Sequence, residues 1–533
     1  MKGNKIFKAA FLVMIISILS RFLGLFRDML VGYQFGVSIY TDAYKAAVSV
    51  PETVFTIVGL AISTVFIPML SKVKYEKNKD EMFKFSNNII SILLVVSIIT
   101  FALGFIFTDK IVAFMFNGFN EEKFTLTVFL TRITLFNLLF LSINACYTAM
   151  LQVCEDFIVP SILGMFFNAP MIIYLLCFND ISIIGLTIAN VIGNFLRVAV
   201  QIPVLYKHGY RFKLFINLKD DRIKKILILI IPVIIGSGAN SLNMVVDMKV
   251  ASSLGDGAVS ALDFAQKIIV FANTAITTSI VSVMYPLMAN KLNEGDNEGF
   301  AMYLTKSIST IALLLVPISI GFILLNKEII SVFYERGKFN DVAVGITASA
   351  FLGYSLVLPF TGVRDILNSS LFSMQKTKVT TINGVIGVVI NIILSISLAK
   401  VFGIFGVAIA STIASIITAV LLFISTRKFV GSFNVIPMII KLLKISLSAM
   451  SMLLVLILLN NMISLNNSIL TILLNGIVGA IIYFVACKIL RIEEFNEAID
   501  MIKSKLSKKE ESVKLIWKNS LIFHRIARSL KII

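Results

Sequence analysis

Between Lys84 and Asp109 the chain reads Ser86-Asn-Asn-Ile-Ile-Ser-Ile-Leu-Leu-Val-Val-Ser-Ile-Ile-Thr-Phe-Ala-Leu-Gly-Phe-Ile-Phe107, without one charged residue. Wound as a helix rising about 1.5 Å per residue, such a run crosses a hydrocarbon core of about 30 Å. Runs of roughly 18 to 25 apolar residues recur on either side along almost the whole sequence. Hydropathy and turn signals place spans at 8–31, 43–71, 86–107, 124–151, 158–178, 181–206, 225–250, 259–290, 301–325, 342–374, 379–399, 403–426, 437–460 and 467–489. With 58% apolar and 15% charged residues and a mean hydropathy of +0.93, water cannot be the main solvent. The expected fold is an all-α polytopic membrane protein of about fourteen transmembrane helices. A β-barrel is excluded, because its strands are about ten residues long and alternate in polarity.

The charges that remain are ordered. If the N-terminus is cytoplasmic, Lys72, Lys74, Lys77, Lys79 and Lys84, then Lys207, Arg211, Lys213, Lys219, Arg222, Lys224 and Lys225, then Arg427 and Lys428, all fall in cytoplasmic loops. Outer loops are poor in Lys and Arg, the strongest exception holding Lys327, Arg336 and Lys338. Both termini are therefore expected on the cytoplasmic side of the membrane. The net charge of +18 reflects this loop bias and not a nucleic-acid partner. The first apolar run is broken by Arg21 and lacks an A-x-A site, so it reads as an uncleaved span. The basic tail from about Lys488, with Trp517, reads as an interfacial amphipathic helix against anionic lipid. Cys146, Cys154, Cys177 and Cys487 lack metal or disulfide spacing, and with only His208 and His524 the chain has little for hydrolytic chemistry or a metal centre.

A repeat of about 220 residues is visible. Ile184-Gly185-Leu186-Thr187-Ile188-Ala189-Asn190 echoes Phe405-Gly406-Val407-Ala408-Ile409-Ala410-Ser411. Pro68 with Lys72 echoes Pro286 with Lys291, and Asn144 with Gln152 echoes Asn368 with Gln375. The pattern predicts two six-helix lobes of the same orientation, 1–206 and 207–428, around a central cavity. Two additional helices within 429–490 and the basic tail, 491–533, complete the chain.

A charge inside a span costs about 2.5 to 3.5 kcal/mol on insertion scales, so it normally faces a cavity or a partner. The first span carries Ser20-Arg21-Phe22-Leu23-Gly24-Leu25-Phe26-Arg27-Asp28. Arg21 and Arg27 cannot share one narrow helical stripe, and Gly24 between them suggests a break that turns both toward one cavity. An arginine fork suits a diphosphate, because it donates bidentate hydrogen bonds and stays charged when desolvated. Lys267 and Arg364 are further candidates for an anionic headgroup. Asp28, Asp42, Glu52, Asn243 and Asp247 are candidates for gating or ion coupling; Asp42 equally suits a cap of its own helix. Asn243 and Asp247, one turn apart with Asn240, form a polar face that suits a cation.

These residues resemble a known family. The Ser20–Asp28 stretch, then Phe35-Gly36, Thr41-Asp42-Ala43, Pro51 and Ser63-Thr64-Val65-Phe66-Ile67-Pro68, look like the opening of the MurJ/MviN lipid II flippases. Ser260-Ala261-Leu262, Tyr334-Glu335-Arg336-Gly337-Lys338-Phe339 and Gln375-Lys376-Thr377-Lys378 continue the resemblance in order, so that it covers essentially residues 5 to 430. It implies the multidrug/oligosaccharidyl-lipid/polysaccharide exporter superfamily, with fourteen helices in two lobes around a cationic cavity. It implies lipid II, the undecaprenyl-diphosphate-linked peptidoglycan precursor, as cargo. The family's important first-helix arginines and following aspartate match Arg21, Arg27 and Asp42, and a groove for the polyprenyl tail would fall at 437–489. Two positions depart from the pattern: Phe55 and Thr56 stand where many members carry an arginine pair, and Lys267 replaces an arginine.

The expected function is a flippase working by alternating access in peptidoglycan biosynthesis, a transporter without catalytic residues. The expected form is a monomer among membrane lipids. No cofactor is implied, and no GxxxxGK[ST] motif is present, so membrane potential or a monovalent cation is the expected driver. A flippase for a capsular or O-antigen-type lipid-linked oligosaccharide is the nearest alternative. A cation-coupled drug antiporter fits a cationic cavity poorly.

Overall fold

The computed structural model describes residues 2–224, 226, 243–431, 433–463, 465, 467–500 and 503–504. Its helices are α1 (Lys2–Phe35), α2 (Ile39–Ala61), α3 (Ile67–Glu76), α4 (Lys79–Ile106), α5 (Thr108–Met115), α6 (Glu121–Thr134), α7 (Asn137–Val153), α8 (Ile158–Cys177) and α9 (Ile183–Lys207). There follow α10 (243–252), α11 (Ala258–Asn293), α12 (Asn297–Leu324), α13 (Asn326–Tyr334), α14 (Asp341–Ser355), α15 (Leu358–Ser373), α16 (Thr377–Val430), α17 (Ile436–Met462) and α18 (Ser468–Ile489). A π-helical turn, Ile62–Phe66, joins α2 to α3.

The expected spans reappear as helices, in order. Among the described residues nine helices are long and apolar enough to cross a bilayer, or ten counting the pair α14 and α15, which meet at a 44° bend. The arithmetic reaches fourteen for identifiable reasons. α16 contains two expected spans, kinked at Gly403, which adopts φ +56°. α2 carries Asp42, Lys45 and Glu52, which lower its hydropathy, and the side chains at the start of α1 and the start of the seventh span lie outside the described residues. Most of the expected tail helix, with Trp517, also lies outside them; its first part, 493–500, is helical and paired through Glu494 to Lys441 and through Glu497 to Lys306.

Local sequence fixes where the helices start. Asn78, Asn120, Ser182, Asp296, Asn340 and Asn467 are N-caps whose side chains accept backbone N–H groups of the first turn. Two of these caps, Asn120 and Asn340, occupy equivalent places in the repeat. The series α4 to α8 recurs as α12 to α16 at a spacing of about 220 residues, including the short helices α5 and α13 and a break within the fourth and tenth spans. The repeat thus extends to elements that hydropathy did not reveal.

In lipid, apolar burial alone does not hold helices together, so close backbone approach and interhelical hydrogen bonds matter more. Asn137 donates to Asn190 at 2.9 Å, Ser97 bonds Ser142 at 2.9 Å, and Gln201 donates to Asn144 at 2.9 Å. The segment after α9 lies along α4: Asn88 both donates to the Asn217 carbonyl (3.0 Å) and accepts its N–H (2.8 Å), while Asn87 donates to the Arg211 carbonyl. The α17–α18 pair packs on α12, where Tyr483 donates to the Leu313 carbonyl at 2.8 Å. α1 and α2 of the first half meet α11 of the second, and this seam carries the intramembrane charges.

Candidate functional site

A cleft of about 280 Å³ opens at that seam, lined by residues of α1 (Ser20, Arg21, Gly24, Arg27, Asp28), α8 (Phe167, Asn168), α9 (Arg197) and α11 (Lys267). Two glycines let its walls come together: a Cβ at Gly164 would collide with Ser20 of α1, and one at Gly193 with the Phe167 carbonyl. That close approach sets Phe167 and Asn168 between α1 and α9. Asn168 accepts a hydrogen bond from Arg27 Nη1 at 3.0 Å and donates to the Gly164 carbonyl.

Beneath the cleft runs an ion-pair chain. Asp28, 1% exposed, takes Arg27 at 3.1 Å and Lys45 at 3.0 Å; Lys45 reaches Asp263 at 2.5 Å, and Asp263 lies 3.6 Å from Lys267. It links α1, α2 and α11, so the two halves share one electrostatic unit. Isolated buried charges would be very costly, and the alternation of signs offsets most of that cost. Counting Arg21 and Arg197, five cations face two carboxylates, which leaves the cleft positive.

A second cross-half junction lies where α1 ends and α11 begins. Asp42 is fully buried and caps α11: its carboxylate accepts the N–H groups of Gly257 (2.7 Å) and Ser260 (2.8 Å). Lys123 Nζ, itself buried, lies 3.0 Å from Asp42 and 2.7 Å from Asp256. Nearby, Lys338 N–H donates to the Tyr33 carbonyl at 2.9 Å and Gly118 N–H to Ser252 Oγ at 3.3 Å. Cross-half hydrogen bonds therefore gather at the end of the molecule opposite the basic loops.

Within the second half, Asp247 of α10 accepts from Ser395 Oγ at 2.7 Å and from Asn391 Nδ2 at 3.2 Å, and Asn391 also donates to Asn243 at 2.6 Å. Its hydrogen-bond partners are all neutral, and the buried Asn391 Oδ1 has no partner among the described residues.

A family model described as lipid II flippase MurJ matches residues 31–478. The chain belongs to the lipid II flippase MurJ family. A probable lipid II flippase MurJ of Buchnera aphidicola subsp. Schizaphis graminum is 28% identical over 424 residues, covering 78% of this chain and 82% of the relative. The lipid II flippase MurJ of Thermosipho africanus is 28% identical over 422 residues, covering 79% and 86%. A solved structure titled lipid II flippase MurJ, inward closed conformation, superposes with a TM-score of 0.78 at 28% identity over 90% of this chain and 98% of that one. An inward-facing multidrug resistance MATE family transporter of the MOP superfamily shares the fold at a TM-score of 0.64 and 14% identity, covering 79% and 98%. The protein is a multi-pass membrane transporter of the MurJ type, not an enzyme.

Within this MurJ-family chain the expected site residues separate into groups. Arg21, Arg27, Asp28 and Lys267 come together at the cleft. Gly24 does not break α1, which is continuous through it. The lining face is simply broad: it runs over Ser20, Arg21, Gly24, Leu25, Arg27 and Asp28, so arginines on its two flanks both reach the space. Asp42 caps a helix, but the cap is that of α11 and not of its own helix. Asn243 and Asp247 form their cluster with α16, away from the cleft lining. Arg364 lies half-exposed outside the lining, 3.8 Å from Asp365, whose carboxylate accepts from Asn273 at 3.4 Å. Glu52 is exposed on α2, outside the lining but near enough to act electrostatically on Arg197. Phe55 and Thr56 are likewise outside it.

Arg197 and Lys45 are not among the expected site residues, Arg197 because an arginine there fits a snorkelling or structural role as well as a functional one. Lys45 is the junction of the ion chain, and Arg197 stacks its guanidinium carbon 3.9 Å from the Phe167 ring centroid. An arginine in an apolar span is the signal for Arg197, yet nothing in the sequence tells which wall it faces.

Proposed function

We propose that the cleft of this lipid II flippase holds the diphosphate of its cargo, the undecaprenyl-diphosphate-linked peptidoglycan precursor, while two lobes alternate around it. The observation that carries the reading is the convergence of Arg21, Arg27 and Lys267, from opposite halves, on one space. The distribution of basic loops supports a cytoplasmic side for both termini. The Asp42 junction then closes the outer side, and the cleft belongs to an inward-oriented state. Headgroup capture draws the halves together, the ion chain re-pairs, and loss of the Asp42 contacts opens the outer side. The polyprenyl tail stays in the bilayer, along the α17–α18 pair.

Transport of an anion outward gains about 2.3 kcal/mol per charge per 100 mV. A monovalent cation at Asp247 would add a second driver: a partly buried carboxylate without a basic partner among the described residues, beside Asn391 Oδ1, suits it. The cycle needs one copy of the chain.

Depletion of the protein in cells tests the reading. Lipid II should build up in the cytoplasmic leaflet. An unchanged lipid II distribution with loss of a surface polysaccharide would assign the cleft to a different lipid-linked glycan.

A further inference from the structure

We infer that Arg197, seated on the Phe167 ring, forms a second phosphate subsite that makes the cleft selective for a diphosphate over a monophosphate. The inference rests on the phosphate-binding reading above and adds a residue and a specificity to it.

The cleft cations differ in how far they are already neutralised. Arg27 is 3.1 Å from Asp28, Lys45 lies between Asp28 and Asp263, and Lys267 is 3.6 Å from Asp263. Arg197 has no salt bridge among the described residues; its guanidinium makes one hydrogen bond, to Asn194 Oδ1 at 3.3 Å, and sits over Phe167. Glu52 influences it at a distance without a contact. A half-buried guanidinium that keeps its charge yet lacks an anion is an unbalanced element, and an anionic ligand restores the balance.

Its position says which anion. The guanidinium carbons of Arg27 and Arg197 lie over the same Phe167 ring, at 5.6 and 3.9 Å from its centroid, so two like charges are neighbours. Their mutual repulsion is relieved most by a ligand that presents negative charge to both at once. Two linked phosphates do so; one phosphate satisfies one arginine and leaves the other. The ring fixes the spacing, because Gly193 brings the backbones of α8 and α9 together at Phe167. The side chain is the right type, since an arginine fork can take two phosphate oxygens side by side.

The test uses the purified full chain in nanodiscs, with undecaprenyl diphosphate and undecaprenyl monophosphate as competing probes. The unmodified protein should prefer the diphosphate roughly tenfold or more, the scale of one charge-assisted bidentate contact. Arg197→Gln should bring the two affinities close together by weakening the diphosphate far more than the monophosphate, while an unchanged thermal unfolding midpoint reports an intact fold. Arg197→Lys should keep part of the preference, and Arg27→Ala should weaken both probes. A full diphosphate preference in Arg197→Gln overturns the subsite and leaves the cleft reading standing. An unmodified protein that binds neither probe removes the cleft reading, and the subsite with it.

Discussion

Replacing Asp42 by asparagine keeps the shape of the buried side chain but removes the charge that joins the halves. In the intact protein one carboxylate oxygen takes Gly257 N–H and Lys123 Nζ, and the other takes Ser260 N–H. Asparagine has one acceptor oxygen, so one of the two α11 backbone donors then faces an amide N–H, and Lys123 keeps a full ion pair only with Asp256. Of the two bonds across the halves, a charge-assisted one worth about 1.5 to 3 kcal/mol net is lost and the other falls to a neutral bond worth about 1 kcal/mol less, so the closed junction weakens by about 2.5 to 4 kcal/mol. At about 1.4 kcal/mol per factor of ten, the closed-to-open ratio falls by roughly 10² to 10³. Spin labels at Tyr40 and Val342, both exposed at this end, would read the change once the four cysteines are replaced. Asp42→Asn should convert a dominant short distance into a longer population and impair flipping. An unaltered distance distribution would refute the assignment of Asp42 as the outer clamp.

Further expectations concern other parts of the molecule. Asp247→Asn should abolish any sodium-dependent rise in thermal stability while leaving the sodium-free protein folded, because it removes a half-buried charge that has only neutral partners among the described residues; a persisting sodium response would place the ion elsewhere. Asn88→Ala should lower stability by about 1 to 2 kcal/mol, since it frees both backbone groups of Asn217 that Asn88 holds, and a thermal unfolding scan in detergent reads it. Hydrogen bonds from Arg222 hold the Asp220 carboxyl below the ordinary aspartate value of about 3.9. That linker contribution is therefore fully present above about pH 5 and lost as pH falls below about 4. Loss of stability between pH 8 and 6 that Asp220→Asn suppresses would contradict it.

Most of the architecture was readable because hydropathy at helical length leaves few alternatives. The run Ser86–Phe107 and its counterparts became helices, and caps such as Asn78 and Asn340 mark where they start. The eight-residue α5 and nine-residue α13 escaped notice, being too short to carry a periodic signal. At the site, composition marked Arg21, Arg27, Asp28 and Lys267 as out of place in lipid, and they do share a cleft. Partnership was not readable. Asp42 caps a helix more than two hundred residues away, Lys45 joins two aspartates of different halves, and Arg197 faces inward because Gly193 lets α9 close on α8. Such pairings come from tertiary packing, which residue type and spacing do not encode. Arg364 shows the converse, a conspicuous intramembrane charge that lies beside Asp365 outside the cleft lining.

The central claim is that Arg21, Arg27 and Lys267 bind the diphosphate during transfer between leaflets. Purified protein reconstituted into liposomes with labelled lipid II, assayed for the label reaching the opposite leaflet, tests it most directly. The unmodified chain should transfer lipid II, and Arg27→Ala should cut the rate at least tenfold while reconstituting equally well. Undiminished transfer by a protein carrying Arg21→Ala, Arg27→Ala and Lys267→Ala together would contradict the account.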